Sequence, residues 1–171
     1  MADIPHVTGM FRDRDRAERA YRAVAERGYT RDDVNVVMSD ETRRRHFEAV
    51  PAAVQTELGS KAAEGAGIGG AIGGTIGAIA AALAAVGTTL ALPGLGLVIA
   101  GPLVAGLAGA GAGAATGGLV GALIGWGLPE ERIKAYESGL REGGILMSVK
   151  PRTEDDARWF EQHWRDDLPR R

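Results

Sequence analysis

The chain has 171 residues, of which 45% are hydrophobic and 25% charged, with a formal net charge of −2 and no cysteine. This length suits one domain with a real core, or a small domain carrying a large insertion, and the lack of cysteine excludes disulfides and thiolate metal sites. Neither end of the chain holds the one-sided basic surface that nucleic-acid binding requires, so no nucleic-acid partner is expected.

In chain order, the opening MADIPHVTGMFRDRDR lacks the apolar core of a signal peptide, so a cytoplasmic protein is expected. HVTGMF, from His6 to Phe11, is a short β-prone run. The following RDRDRAERAYRAVAERG places Ala17, Ala20, Tyr21 and Val24 at i, i+3, i+4 and i+7 on one helical face, and Gly28 is a natural C′ stop. VNVVM, from Val34 to Met38, is a second strand, after which Asp40 and Glu41 open a polar stretch containing Arg43, Arg44 and Arg45. The arginine triplet reads as a solvated helix face, with a phosphate or lipid-headgroup contact as the sharper alternative. Pro51 then separates two short helical pieces.

From Gly65 to Pro129 there is no charged residue, and 20 of the 26 glycines fall in this stretch. Gly65, Gly67 and Gly70 follow the G-x-G-x-x-G order of a dinucleotide loop, yet the preceding LGSKAAE is helix-prone and no Walker lysine follows, so no cofactor is expected. A four-residue register accounts for more of the glycines. Gly65, Gly69, Gly73 and Gly77 follow it in a first arm, and Gly109, Gly113, Gly117, Gly121 and Gly125 in a second. Residues four apart stack along one ridge of a helix, and a ridge of glycines is a groove that another backbone can approach closely. Each interior glycine costs a helix about 0.8 to 1 kcal/mol relative to alanine, so the register requires tight packing to offset it. These nine glycines are the candidate self-association residues.

The arms exceed the roughly 20 residues that span a bilayer. The bulky stripe of the first arm, Ile68, Ile72, Ile76, Ile79, Leu83 and Val86, supplies only about −2 to −4 kcal/mol of insertion free energy. The connection ALPGLGLVIAGPL, from Ala91 to Leu103, has no charged or polar side chain. Its expected place is inside a membrane or inside an oligomer, which favours several copies bundled together.

After the insert a helix is expected to begin at Pro129, with Glu130 and Glu131 at its positive end, and to stop at Gly143 and Gly144. ILMSV, from Ile145 to Val149, is the third strand. A last helix follows Thr153, with Asp156 three residues on in a capping-box arrangement and Ala157, Phe160 and Trp164 along its core-facing side. The predicted class is α+β: a small split βαβ/αβ sandwich of ferredoxin-like tendency, with its helices on one face and a long inserted Gly/Ala-rich helical hairpin. Residues 1–59 form the N-terminal half with a polar helical linker, 60–128 the glycine-zipper hairpin, and 129–171 the half that completes the first domain.

The tripartite order is similar to that of a known family. HVTGMFRDRDRAERAYRAVAERGYTRDDVNVV, then a charge-free hairpin containing LALPGLGLVIAGP, then GLPEERIKAYESGLREGGILMSV, together resemble the bacterial general stress protein 17M-like family over roughly residues 6–150. The resemblance implies a stress-induced protein, often described as membrane-associated because of the hairpin, and it carries over no catalytic residue.

Catalysis is not expected. His6, His46 and His163 are scattered, without an i, i+4 pair or HExxH, and Ser39, Ser60, Ser138 and Ser148 lack a nucleophile-elbow setting. The paired carboxylates Asp32 and Asp33, Glu130 and Glu131, and Asp155 and Asp156 sit at expected helix starts or turns, where capping explains them. The expected partners are further copies of the chain and membrane lipid at the inner face of the cell membrane, with no small-molecule substrate identified.

Overall fold

The computed structural model describes residues 4–47, 79, 89–92, 96–102, 104 and 128–164. Five strands, Val7–Phe11 (β1), Val34–Ser39 (β2), Thr89–Leu92 (β3), Leu97–Ala100 (β4) and Ile145–Val149 (β5), form one antiparallel sheet in the order β1-β5-β2-β4-β3. The helices are Arg14–Glu26 (α1), Asp40–Phe47 (α2), Glu130–Arg141 (α3) and Glu154–Trp164 (α4), with a 3₁₀ turn at Arg31–Asp33. The class is therefore mixed α and β. β5 lies between β1 and β2, with Val149 opposite both Val7 and Val34, so β1 and β2 run parallel to each other on either side of it.

Local chemistry explains where the helices begin and end. The Asp13 carboxylate accepts the Arg16 N–H at 2.8 Å, which satisfies one of the free donors opening α1. At the other end Gly28 takes φ 80, and the N–H groups of Gly28 and Tyr29 return to the carbonyls of Ala25 and Val24. α3 ends in the same way, with Gly143 at φ 92 and the Gly143 and Gly144 N–H groups bonded to Leu140 and Gly139. In α4 the Thr153 hydroxyl accepts the Asp156 N–H at 3.1 Å.

The helices differ from the single-face layer that the sequence predicts. One core joins Val7, Phe11, Val34, Val36, Met38, Ile145, Met147 and Val149 to α1 and α4, through Ala17, Tyr21, Val24, Phe160 and Trp164. The alternate residues Met10, Val37, Ile99 and Leu146 meet Ile133, Tyr136 and Leu140 of α3 in a second core. β1, β2 and β5 are buried on both sides, because Met10, Val37 and Leu146 also need cover on the second face, where the polar Thr8, Asn35 and Ser148 are buried beside them. The α4 stripe packs as expected, with Phe160 and Trp164 in contact and Trp164 edge-on to Phe11 at 5.8 Å.

The middle of the insert also differs from the sequence expectation. Ala91 to Leu103 is predicted to be the tip connecting two helical arms, inside a membrane or an oligomer, yet Thr89–Leu92 and Leu97–Ala100 are paired strands, and β4 adds to β2 with Met38 opposite Val98 and Val37 opposite Ile99. The physical reason lies in the segment itself. TTLAL and LVIA are β-prone runs either side of a Pro-Gly turn signal, and sheet pairing satisfies backbone groups while burying Ile99 completely. The Gly96 carbonyl accepts the Asp40 N–H at 2.7 Å, which fixes this hairpin to the start of α2.

Candidate functional site

Two polar arrangements stand out against the apolar layers. The first is a buried row on the α3 face of the sheet. Thr8 and Asn35 both lie opposite Ser148, so the three side chains form one line across β1, β5 and β2. All are buried, Ser148 completely. The Thr8 hydroxyl lies 2.8 Å from the Tyr136 hydroxyl of α3, and the Ser148 hydroxyl lies 3.1 Å from Nδ1 of His6. Burial raises the Tyr136 pKa above the ordinary tyrosine value, against the opposing influence of Thr8 and Arg132. Gly101 closes the row: it takes φ 108, and a Cβ there would sit 2.3 Å from the Val34 carbonyl oxygen and 3.0 Å from Oδ1 of Asn35.

A serine hydroxyl beside an imidazole is the chemistry of an activated nucleophile. Ser148 is, however, completely buried on the inner strand β5, between Thr8 of β1 and Asn35 of β2. Along the row, hydrogen bonds to His6 and Tyr136 satisfy hydroxyl groups inside a packed layer. Sequence reasoning missed it because His6 and Ser148 are 142 positions apart, and only strand register brings them together.

The second arrangement is a surface network that joins the end of α1 to the start of α4. The Arg27 guanidinium donates twice to Oδ1 of Asp156, at 2.9 and 2.7 Å, and the Tyr29 hydroxyl donates to Oδ2 at 2.8 Å. Tyr29 in turn accepts the Arg152 N–H, while the Arg152 side chain reaches Asp33 at 2.8 Å and the Gly28 carbonyl at 3.2 Å. Arg27 also lies over the Trp159 ring, which stacks on His163 at 3.7 Å. The Tyr29 and Arg27 bonds hold Asp156 below the usual carboxylate range. For Asp33 burial pushes the pKa up, but the Thr30 N–H and hydroxyl and the Arg152 charge outweigh it and leave it lowered.

These positions account for several sequence features. The arginine triplet of α2 is balanced by its own helix: Arg43 and Arg44 pair with Asp40, at 3.0 and 2.7 Å, and Arg45 pairs with Glu41. Asp33 completes a capping box with Thr30, whereas Asp32 projects outward beside Arg31. Among the described residues no three His, Asp or Glu side chains lie together as metal ligands would. The self-association candidates Gly65, Gly69, Gly73, Gly77, Gly109, Gly113, Gly117, Gly121 and Gly125 lie outside the described residues, as does Pro51. Among the described residues no helix is long and apolar enough to cross a membrane. In comparisons with known proteins, no family model, curated protein or solved structure matches the chain.

Proposed function

We propose that the chain is a non-enzymatic, cytoplasmic protein that self-associates through its two glycine registers, with a split sheet of ferredoxin-like kind as the charged platform carrying them. The glycine spacing within a charge-free segment is the observation that carries this reading, since glycine at helical positions is costly unless a second backbone packs against it. A role in stress response rests on the family resemblance of residues 6–150.

The attachment points of the insert bear on where association happens. Phe47 and Ile79, which bracket the first register, are both buried in the α1/α4 core. Val104 and Leu128, which bracket the second, are both buried in the α3 core, and β4, which falls between the two registers in the chain, is paired to β2. Each glycine segment thus leaves and rejoins the same small domain. Crossing a bilayer and returning takes ~40 residues, more than residues 48–78 or residues 105–127 provide. This favours a soluble homo-oligomer with glycine contacts in its interior over a spanning hairpin. Membrane association then means contact with the inner face without a full crossing.

Purification without detergent, followed by mass measurement, tests the reading. A defined homo-oligomer is expected, and Gly73→Leu and Gly113→Leu should each shift the mass toward monomer by blocking close backbone approach. A monodisperse wild-type monomer, or assembly indifferent to both changes, would overturn it.

A further inference from the structure

One feature of α1 is used neither by the polar row nor by the surface network. Glu18 lies beside the apolar face of Ala17, Tyr21 and Val24 and is only 3% exposed. A carboxylate is kept in such a place only when its partners compensate for lost hydration. Its Oε2 accepts the Ile79 N–H at 3.0 Å, and its Oε1, which makes no hydrogen bond, lies 3.8 Å from Nε of Arg14 one turn earlier. Arg14 does more than balance this charge. It donates to the His46 carbonyl at 2.7 Å, and its guanidinium lies over the Phe47 ring at 5.2 Å.

We infer that Arg14 and Glu18 act as one clasp, fastening both chain ends that flank residues 48–78 to a single turn of α1. Glu18 holds the far end by the Ile79 N–H, and Arg14 holds the near end by the His46 carbonyl and the Phe47 ring. The ion pair between them makes the two attachments interdependent: without Arg14 the buried Glu18 charge loses the cation that faces it, and without Glu18 the arginine loses the anion that orients it. All of these contacts lie within one chain, so the inference does not depend on how copies associate.

Hydrogen exchange on the full-length chain, resolved by peptide, separates a clasp from two unrelated contacts. Glu18→Ala is expected to raise exchange roughly tenfold at Ile79, and also in the last turn of α2, to which Glu18 makes no hydrogen bond. Arg14→Ala should loosen the same two places, while β2 and β5 keep wild-type rates. If each variant loosens only the end it contacts, or neither end responds, the clasp is overturned. Should an alanine variant unfold the sheet, Glu18→Gln and Arg14→Lys take its place, because they retain an acceptor and a donor while weakening the ion pair. The same two-ended response is then expected, and a one-ended or absent response again overturns the inference.

Discussion

At the scale of single residues, the buried polar atoms carry the sharpest consequences. Tyr136→Phe would leave the Thr8 hydroxyl without its partner in the layer beneath α3, a loss of about 1–3 kcal/mol that chemical denaturation would register. The surface network makes a pH prediction. Asp33 and Asp156 both have folded-state pKa values below 3.8, so their contribution to stability is complete above that value and is lost as pH falls through it toward the folded-state values. Thermal melts on the acid side should show this decline, and Asp156→Asn should flatten it while lowering stability at neutral pH by about 1 kcal/mol. An unchanged acid slope would mean that other carboxylates cause the decline. Capping was legible at this scale in Thr153 and Gly28, because it is a matter of near neighbours. The partners of Glu18 were not, since Ile79 lies 61 positions away.

At the scale of elements, the joint between β4 and β2 is the most exacting. Gly101 combines a left-handed φ of 108 with a space that would put a Cβ 2.3 Å from one β2 backbone atom and 2.9 Å from another. Gly96 also has positive φ, but nothing lies within 4 Å of its missing side chain. Gly101→Ala is therefore expected to cost about 2–4 kcal/mol and to speed amide exchange at Val98 and Ile99, and Gly96→Ala about 1 kcal/mol, from backbone strain alone. Equal effects of the two changes would show that the joint tolerates a side chain. The strands β1, β2 and β5 were readable from β-branched and apolar runs. The hairpin β3–β4 carried the same kind of signal in TTLAL and LVIA, but the surrounding glycine and alanine outweighed it, and the lack of charge suggested lipid or an oligomer interior, whereas Ile99 is covered by α3.

For the whole molecule, the return of the insert to the sheet at β3 and β4, between its two glycine registers, is what the proposed topology rests on. The native chain has no cysteine, so single substitutions report sidedness cleanly. Asp32→Cys and Pro102→Cys, both at exposed positions, should react with a membrane-impermeant thiol reagent from the same side of any vesicle to which the protein binds. Labelling from opposite sides would restore the spanning hairpin and refute the topology argued above. The two cores show how the layers differ from the expected single face: α1 and α4 cover one face and α3 the other, where Val37 and Leu146 alternate with the polar Asn35 and Ser148.

By itself the sequence determined three strands, the helices α1 and α3 with their glycine stops, the helix α4, the core role of Phe160 and Trp164, and the sharp division between charged flanks and a charge-free insert. These follow from periodicity and near-neighbour chemistry, which act over a few residues. Tertiary structure alone decided that β5 lies between β1 and β2, that His6 meets Ser148, that Arg14 and Glu18 bridge His46 and Ile79, and that the middle of the insert is a pair of strands. Each of these depends on register between segments distant in the chain, which is set by the packing of two faces at once rather than by local pattern.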